Sequence, residues 1–558
     1  MGSWGPKASE YDVIIGGAGF SGICALHHIR ERFPSWRVRV LEASSGPGGT
    51  WYTNRYPGAR VDTESLTYQF SWDKELLEEW HWKETFSAQP AVLGYIERVC
   101  EKHDLYKQMQ FNTRIKSAHW LDNNNSWQIV DTKGFEYKAR FFISCLGFLS
   151  RPVLPNIVGI ENFEGQAFHT SAWPKDLDHR KDLAGKRVGV IGTGATGIQT
   201  ITTIARESNV KSLTVFQRTA NWSVPLRNKP ISLDEMKQHA REYQETFAQC
   251  ARTSSGFLYQ ADSRKSSDVT QEERLLLWDR LYNEQGFGKW LGVFRDTYTN
   301  REANRLYSDY IAEKIRARIE DPEVADSLIP KDHGFGTRRV PLESGYFEVY
   351  NQPNVYLADL KKAPIKAVTA TGIDTQNEKS HELDVLIFAT GFNAITGSFS
   401  EIDFRGRGER PLLGYSDEEK GKGSAIWVDH KPKTFLGLMA PDMPNMFMVL
   451  GPHQPFGNGT RSLENAVDVV CAILQHIFDH GYTYAAAKSE AVKAWGEHVV
   501  DCSQGLLANE IDSWMTGVNS NVKGKQERSV ARYSGSVIGY RERCSDAAQS
   551  GWKDLDFA

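Results

Sequence analysis

Apolar runs too short to be helices alternate with helix-spaced stretches along this chain, and the alternation occurs twice. Residues 11–15 form a β-branched apolar run suited to a buried parallel strand. Residues 23–30 carry the spacing of a helix packed on a sheet, and residues 38–41 predict a second strand ending at Glu42. The series returns further on, with a strand at 186–191, a helix at 198–205 and a strand at 213–216. Between the two series, residues 141–147 read as a buried strand ending in glycine, and the prolines of 151–155 mark an exit linker. Helical periodicity dominates 272–282, 311–319 and 467–480, the last amphipathic. A Gly-, Ser-, Asn- and Lys-rich run near 513–525 reads as a mobile loop. Strand, turn, helix and strand in that order, twice over, predict an α/β protein with two Rossmann-like dinucleotide-binding domains. The expected division is 1–152 for the first domain and 153–390 for the second, with a helical insertion at about 228–330. Residues 391–558 then return to the first domain.

Composition narrows the class. At 558 residues, 40% hydrophobic and 24% charged, the chain suits a multidomain globular enzyme. A net charge of −4 with both signs interspersed leaves no basic footprint for nucleic acid or an anionic membrane. Seven scattered cysteines without a Cys-x-x-Cys pair argue against a disulfide framework, a metal site or a dithiol redox centre. The first residues lack a signal-peptide pattern, and no apolar run approaches the length of a membrane span. The chain is expected in the cytoplasm as a monomer or simple homo-oligomer.

The turns carry the candidate chemistry. In Gly17-Ala18-Gly19-Phe20-Ser21-Gly22, Gly17 permits the tight turn, Gly19 lets backbone approach a pyrophosphate, and Gly22 lets helix and strand pack closely. Glu42 is placed to accept ribose hydroxyls, and its charge would repel a 2′-phosphate, so this site suits FAD or NAD. In Gly48-Gly49-Thr50-Trp51, glycines followed by an aromatic allow backbone and ring to lie against a planar group. The second turn is Gly192-Thr193-Gly194-Ala195-Thr196-Gly197. Its following strand ends in Gln217-Arg218-Thr219 where the first ends in an acid. A cation with a hydroxyl at the ribose end suits the 2′-phosphate of NADPH. His169, lying between the two series, reads on its own as a packing histidine before a catalyst.

Phe163-x-Gly165-x-x-x-His169-x-x-x-Trp173-Pro174 resembles the fingerprint of the Baeyer–Villiger monooxygenases, flavoproteins that insert oxygen beside a ketone carbonyl. Gly49-x-Trp51, then Tyr56-Pro57-Gly58, then Asp62 is similar to the second long motif of that family. The resemblance implies that Trp51 contacts the flavin and that Asp62 sits in the active site. It also places Ser21, Tyr68 and Ile115 where relatives hold FAD. Gly336-Thr337-Arg338-Arg339 resembles the family's Gly-Thr-basic-Arg segment, with arginine for the commoner lysine at 338. Arg338 then helps hold the 2′-phosphate, and Arg339 projects to the flavin. By the same likeness Ala389-Thr390-Gly391 is the recrossing turn, Phe456 lines the substrate pocket and Trp514 folds over NADP⁺. An ordinary packing tryptophan stays open at 514.

The implied activity consumes NADPH, holds FAD and converts a ketone and O₂ to an ester or lactone. Its oxidant is a flavin 4a-peroxide kept anionic beside Arg339, with Asp62 orienting that arginine. A flavin N- or S-oxygenase of the same fold is the alternative, although such relatives carry a shorter fingerprint without Trp173-Pro174. An uncoupled NADPH oxidase needs no different motif.

Overall fold

The computed structural model describes residues 9–416 and 425–558. Its larger sheet has eight strands. At its centre the strand Ser9–Gly16 lies parallel to Val38–Leu41 on one side and Glu136–Ser144 on the other. Val13, Ile14 and Ile15 are fully buried there, as an apolar run covered on both faces requires. Beyond Glu136–Ser144 follow two antiparallel strands, Ser126–Asp131 and Ile115–Leu121. Two strands from the distant end of the chain complete the sheet: Asp403–Arg405 pairs with Ile115–Leu121, and Met446–Met448 with Glu136–Ser144. The helix Gly459–His480, whose last turns the amphipathic pattern located, packs against Phe20–Arg32. Arg32 pairs with Asp468 at 2.7 Å across that contact.

The second sheet is five-stranded and wholly parallel, in the order Val355–Asp359, Ser212–Gln217, Arg187–Ile191, Val385–Phe388, Gln166–His169. The two sheets begin alike. Gly17 (φ +103°) and Gly192 (φ +109°) adopt left-handed turns. A Cβ on Gly17 would come to 2.6 Å from the Cys145 carbonyl, and one on Gly192 would strike the Ala389 carbonyl.

The chain crosses between the sheets at two adjacent places. Val153 N donates to Gly391 O at 3.0 Å, Asn393 N to Arg151 O at 2.8 Å, and Thr390 Oγ1 to Val153 O at 2.6 Å. The prolines of the exit linker thus sit beside the Ala-Thr-Gly turn, one crossing supporting the other.

The insertion is helical. Leu233–Arg252 and Gln271–Asn283 open on capping boxes, Ser232 with Glu235 and Thr270 with Glu273. Periodicity placed a helix at 311–319, but it runs Arg301–Arg316, because Asn300 caps its start with bonds to Glu302 N and Ala303 N. No helix among the described residues is long and apolar enough to cross a membrane.

Candidate active site

At the first nucleotide turn, the helix Phe20–Arg32 starts from Gly19 with no side-chain cap and no acid in its first turn. Its leading N–H groups and positive dipole end are left for an anion. Gly49 (φ +53°) lies against Gly19 so tightly that a Cβ would come to 2.9 Å from the Gly19 Cα. Glu42 is buried, with Oε2 accepting from Ala18 N and Oε1 from Ser44 N, both at 2.7 Å. Each carboxylate oxygen keeps a lone pair for a ribose hydroxyl. Thr50 opens a short helix that buries Trp51, whose Nε1 donates to Tyr68 OH at 3.1 Å. Ser21 stays half-buried on the turn. Ile115 is buried in the sheet core with Ile14, Leu41 and Phe142, beneath Gly16, so its side chain belongs to packing.

The second turn repeats the plan. The helix Ala195–Glu207 starts from Gly194, uncapped and without an early acid, and nothing lies within 4 Å of a Cβ placed on Gly194. Thr193 Oγ1 donates to the Thr219 carbonyl at 3.0 Å, tying the turn to the next strand end. From there Arg218 reaches solvent. Arg338 arrives from a distant loop and feels Arg218 as a like charge. Burial above all, and then Arg218, hold its pKa below the usual guanidinium range, while Asp332 and Asp512 oppose the shift. Its Nε is buried without a hydrogen-bond partner. Two converging guanidiniums, one with an unmet donor, fit a phosphate dianion.

An ion pair joins the two nucleotide-binding units. Arg339 Nη2 donates to Asp62 Oδ2 at 2.6 Å, with the Asp62 side chain only 4% exposed and that of Arg339 31%. Leu342 N donates to the same oxygen at 3.3 Å. Asp62 Oδ1 and Arg339 Nη1 are buried without partners, so each member keeps one unmet hydrogen-bonding position. The Arg339 guanidinium lies 6.0 Å from the Phe287 ring of the insertion. Tyr56 OH donates to Gln199 Oε1 at 2.9 Å, and burial raises its pKa to about 12, with Thr196, Asp62 and Arg339 all close enough to modulate it.

His169 is a peg. It is buried, its Nε2 bonds the Gly391 carbonyl at 3.1 Å, and its Nδ1 accepts from Ser171 N at 3.1 Å. Burial keeps its pKa below the ordinary histidine value, so the neutral ring ties the end of the strand Gln166–His169 to the second crossing. The other fingerprint residues pack elsewhere: Phe168 meets Trp173 edge-on at 4.9 Å, and Leu177 N bonds the Pro174 carbonyl at 3.3 Å. Phe163 lies against Gly165, where a Cβ would come to 2.6 Å from its ring.

Phe456 and Trp514 pack together with Leu149, Ala394, Ile395 and Ala531. The run expected to be mobile is docked: Lys525 is buried and its Nζ donates to the Ala394 carbonyl at 2.6 Å. Composition could not show this, because the bond is made to the second crossing. The sequence reading also passed over Glu64, Tyr259 and Lys289. Tyr259 OH donates to the buried Glu64, whose other oxygen has no partner. Lys289 is fully buried and donates to the carbonyls of Glu284 and Gly286. The spacing Asp62-x-Glu64 was the one available signal.

Comparison with known proteins agrees with this geometry. The flavin-binding monooxygenase-like family model matches residues 13–229. A 2-oxo-Δ3-4,5,5-trimethylcyclopentenylacetyl-CoA monooxygenase of Pseudomonas putida is 39% identical, over 99% of this chain and 99% of its own. A cyclohexanone 1,2-monooxygenase of Acinetobacter and a phenazine N-monooxygenase of Lysobacter antibioticus are each 36% identical over 98% of this chain and 96% of theirs. The crystal structure of OTEMO in complex with FAD and NADP superposes with a TM-score of 0.91 and 37% identity, covering 99% of this chain and 100% of that one. With two nucleotide turns, an ion pair between them and whole-chain similarity of this extent, the chain belongs to the Baeyer–Villiger branch of the flavin-binding monooxygenases.

Proposed function

We propose that this enzyme uses FAD and NADPH to insert one oxygen atom of O₂ beside a ketone carbonyl, giving an ester or lactone. The observation that carries the reading is the Asp62–Arg339 pair, which joins the two nucleotide-binding units. Gly17, Gly19, Ser21, Gly22, Glu42, Gly49, Thr50, Trp51 and Tyr68 would hold FAD, and Ile115 would support the turn from below. Gly192 to Gly197, Arg218, Thr219 and Arg338 would hold NADPH, with Trp514 at its edge. The flavin, when bound, supplies hydride acceptance and oxygen activation. Arg339 supplies a fixed positive charge where negative charge develops, in a site shielded from water. Asp62 aims that guanidinium and balances its charge in the resting enzyme. Phe456 belongs to the substrate wall. The domain limits at 152 and 390 follow the two crossings. All seven cysteines are free and six are buried, which supports a reducing, cytoplasmic setting.

The test is NADPH consumption against a ketone panel with products identified by mass. Arg339→Ala should still oxidise NADPH while ester formation falls by about 10²–10³. Normal ester yield from that variant removes Arg339 from the chemistry. A second reading, oxygenation at nitrogen, is favoured by the similarity to the phenazine N-monooxygenase. N-oxide formation from aromatic amines with no ester from any ketone would establish it instead.

A further inference from the structure

Arg532 has no partner that the fold explains. It follows Ala531, 3% exposed, and precedes Tyr533, 5% exposed, in a segment laid against the Phe456 loop. His453 N donates to the Ala531 carbonyl at 3.0 Å, Tyr533 N to Gln454 O at 3.3 Å, and Pro455 pairs with Tyr533. Its guanidinium makes no hydrogen bond, ion pair or ring contact with any described residue. Its side chain is half-buried; desolvation lowers its pKa to about 10, and no carboxylate among the described residues opposes the shift.

The neighbourhood is tied to that of Arg339 through the insertion. Phe456 and Ala531 share one cluster, and Asn458 N bonds the Ser255 carbonyl of the insertion at 3.1 Å. Two residues on, Phe257 meets Phe287 at 5.3 Å, and Phe287 is the ring beside Arg339. Val537 N closes the circuit on Ser254 O at 2.8 Å. A half-buried cation without a counter-ion among the described residues is open to a ligand that brings the missing charge.

We propose that Arg532 anchors a carboxylate on the substrate, so that the ketone this enzyme oxygenates is an oxo acid. The inference rests on the Baeyer–Villiger reading for the ketone and on Arg532 alone for the acid. A guanidinium fork suits a carboxylate in two-point contact, and lysine would replace it incompletely.

The test uses the FAD-loaded enzyme with levulinate and oxocyclohexanecarboxylate, each against its methyl ester. Binding is read by perturbation of the flavin absorbance, and turnover by product mass. The acids should bind about ten- to a hundredfold more tightly than their esters, a preference lost in Arg532→Met and partly kept in Arg532→Lys. The thermal midpoint of Arg532→Met should not fall, since no hydrogen bond or ion pair with a described residue has been removed. Equal binding of acid and ester by the natural enzyme, or a preference that survives Arg532→Met, overturns the proposal. So does a loss of FAD or NADP⁺ affinity in Arg532→Met, which would make the residue a cofactor contact. Acid preference in binding with no ester product from any ketone keeps the Arg532 assignment and overturns the oxygenation reading instead.

Discussion

Arg218 and Arg338 act on each other as like charges, one solvated and one half-buried with an unmet Nε donor. Such a pair is unfavourable until a dianion lies between them. Arg338→Ala should therefore weaken NADPH binding about ten- to a hundredfold while NADH affinity changes little, a difference that paired binding titrations would read directly. If both nucleotides lose affinity equally, Arg338 positions the loop and does not touch the phosphate. Arg218 was legible in the sequence because the strand-turn-helix-strand unit fixes its register locally. Arg338 and Arg339 became legible through resemblance, since no local pattern links residues so distant from the turns they serve. Arg532 was not legible at all. Whether an arginine lacks a partner depends on what the folded chain brings near it.

The element that decides how the insertion sits is the contact between the Asp62–Glu64 stretch and the turn leading into Phe287. Tyr259 OH bonds both Glu64 and the Gln285 carbonyl, the latter at 3.2 Å. Lys289, fully buried, donates to Glu284 O at 2.7 Å, and burial lowers its pKa to about 8. Burial likewise raises the Glu64 pKa above the usual carboxylate value, against lowering by Tyr259 and Lys289. A raised folded-state pKa means the folded state holds the proton better. Stability from this group is full below the unfolded pKa and is lost as pH rises through the folded value. Glu64→Gln stays neutral and can still accept from Tyr259. Its thermal midpoint, compared with the natural enzyme, should therefore improve more at about pH 8 than at about pH 5. An unchanged difference across that range would mean Glu64 is no more protonated folded than unfolded. Tyr259→Phe should cost about 1–3 kcal/mol by leaving a buried carboxyl unmet, measurable by denaturant unfolding. Helices of the insertion were visible as periodic stretches, but their docking was not. It depends on a tyrosine and a glutamate that look ordinary in the sequence.

At the scale of the whole molecule, Gly58 marks a close contact between the two nucleotide-binding units. It sits at φ +80°, where a Cβ would come to 2.7 Å from the Gln199 carbonyl and strike Thr203, both on the helix Ala195–Glu207. Gln199 meets the same loop twice, through Tyr56 OH and by donating to the Arg60 carbonyl at 3.2 Å. Asp62 lies just beyond, so any shift of this loop moves the carboxylate away from Arg339. Gly194 offers the contrast, since a Cβ there meets open space in the protein. Gly58→Ala should cost about 1–2 kcal/mol of stability from the left-handed backbone alone, and more if the helix is displaced. It should retain FAD but slow NADPH-driven flavin reduction, because the second nucleotide unit is no longer seated against the first. Gly194→Ala should leave the thermal midpoint nearly unchanged and weaken NADPH binding, because only the occupant loses room. Stopped-flow reduction beside thermal unfolding separates the two. If Gly58→Ala reduced its flavin at the natural rate despite lowered stability, the loop-to-helix contact would hold the fold together without setting the geometry between the nucleotides, and the Asp62–Arg339 pair would have to tolerate movement of the loop that carries it.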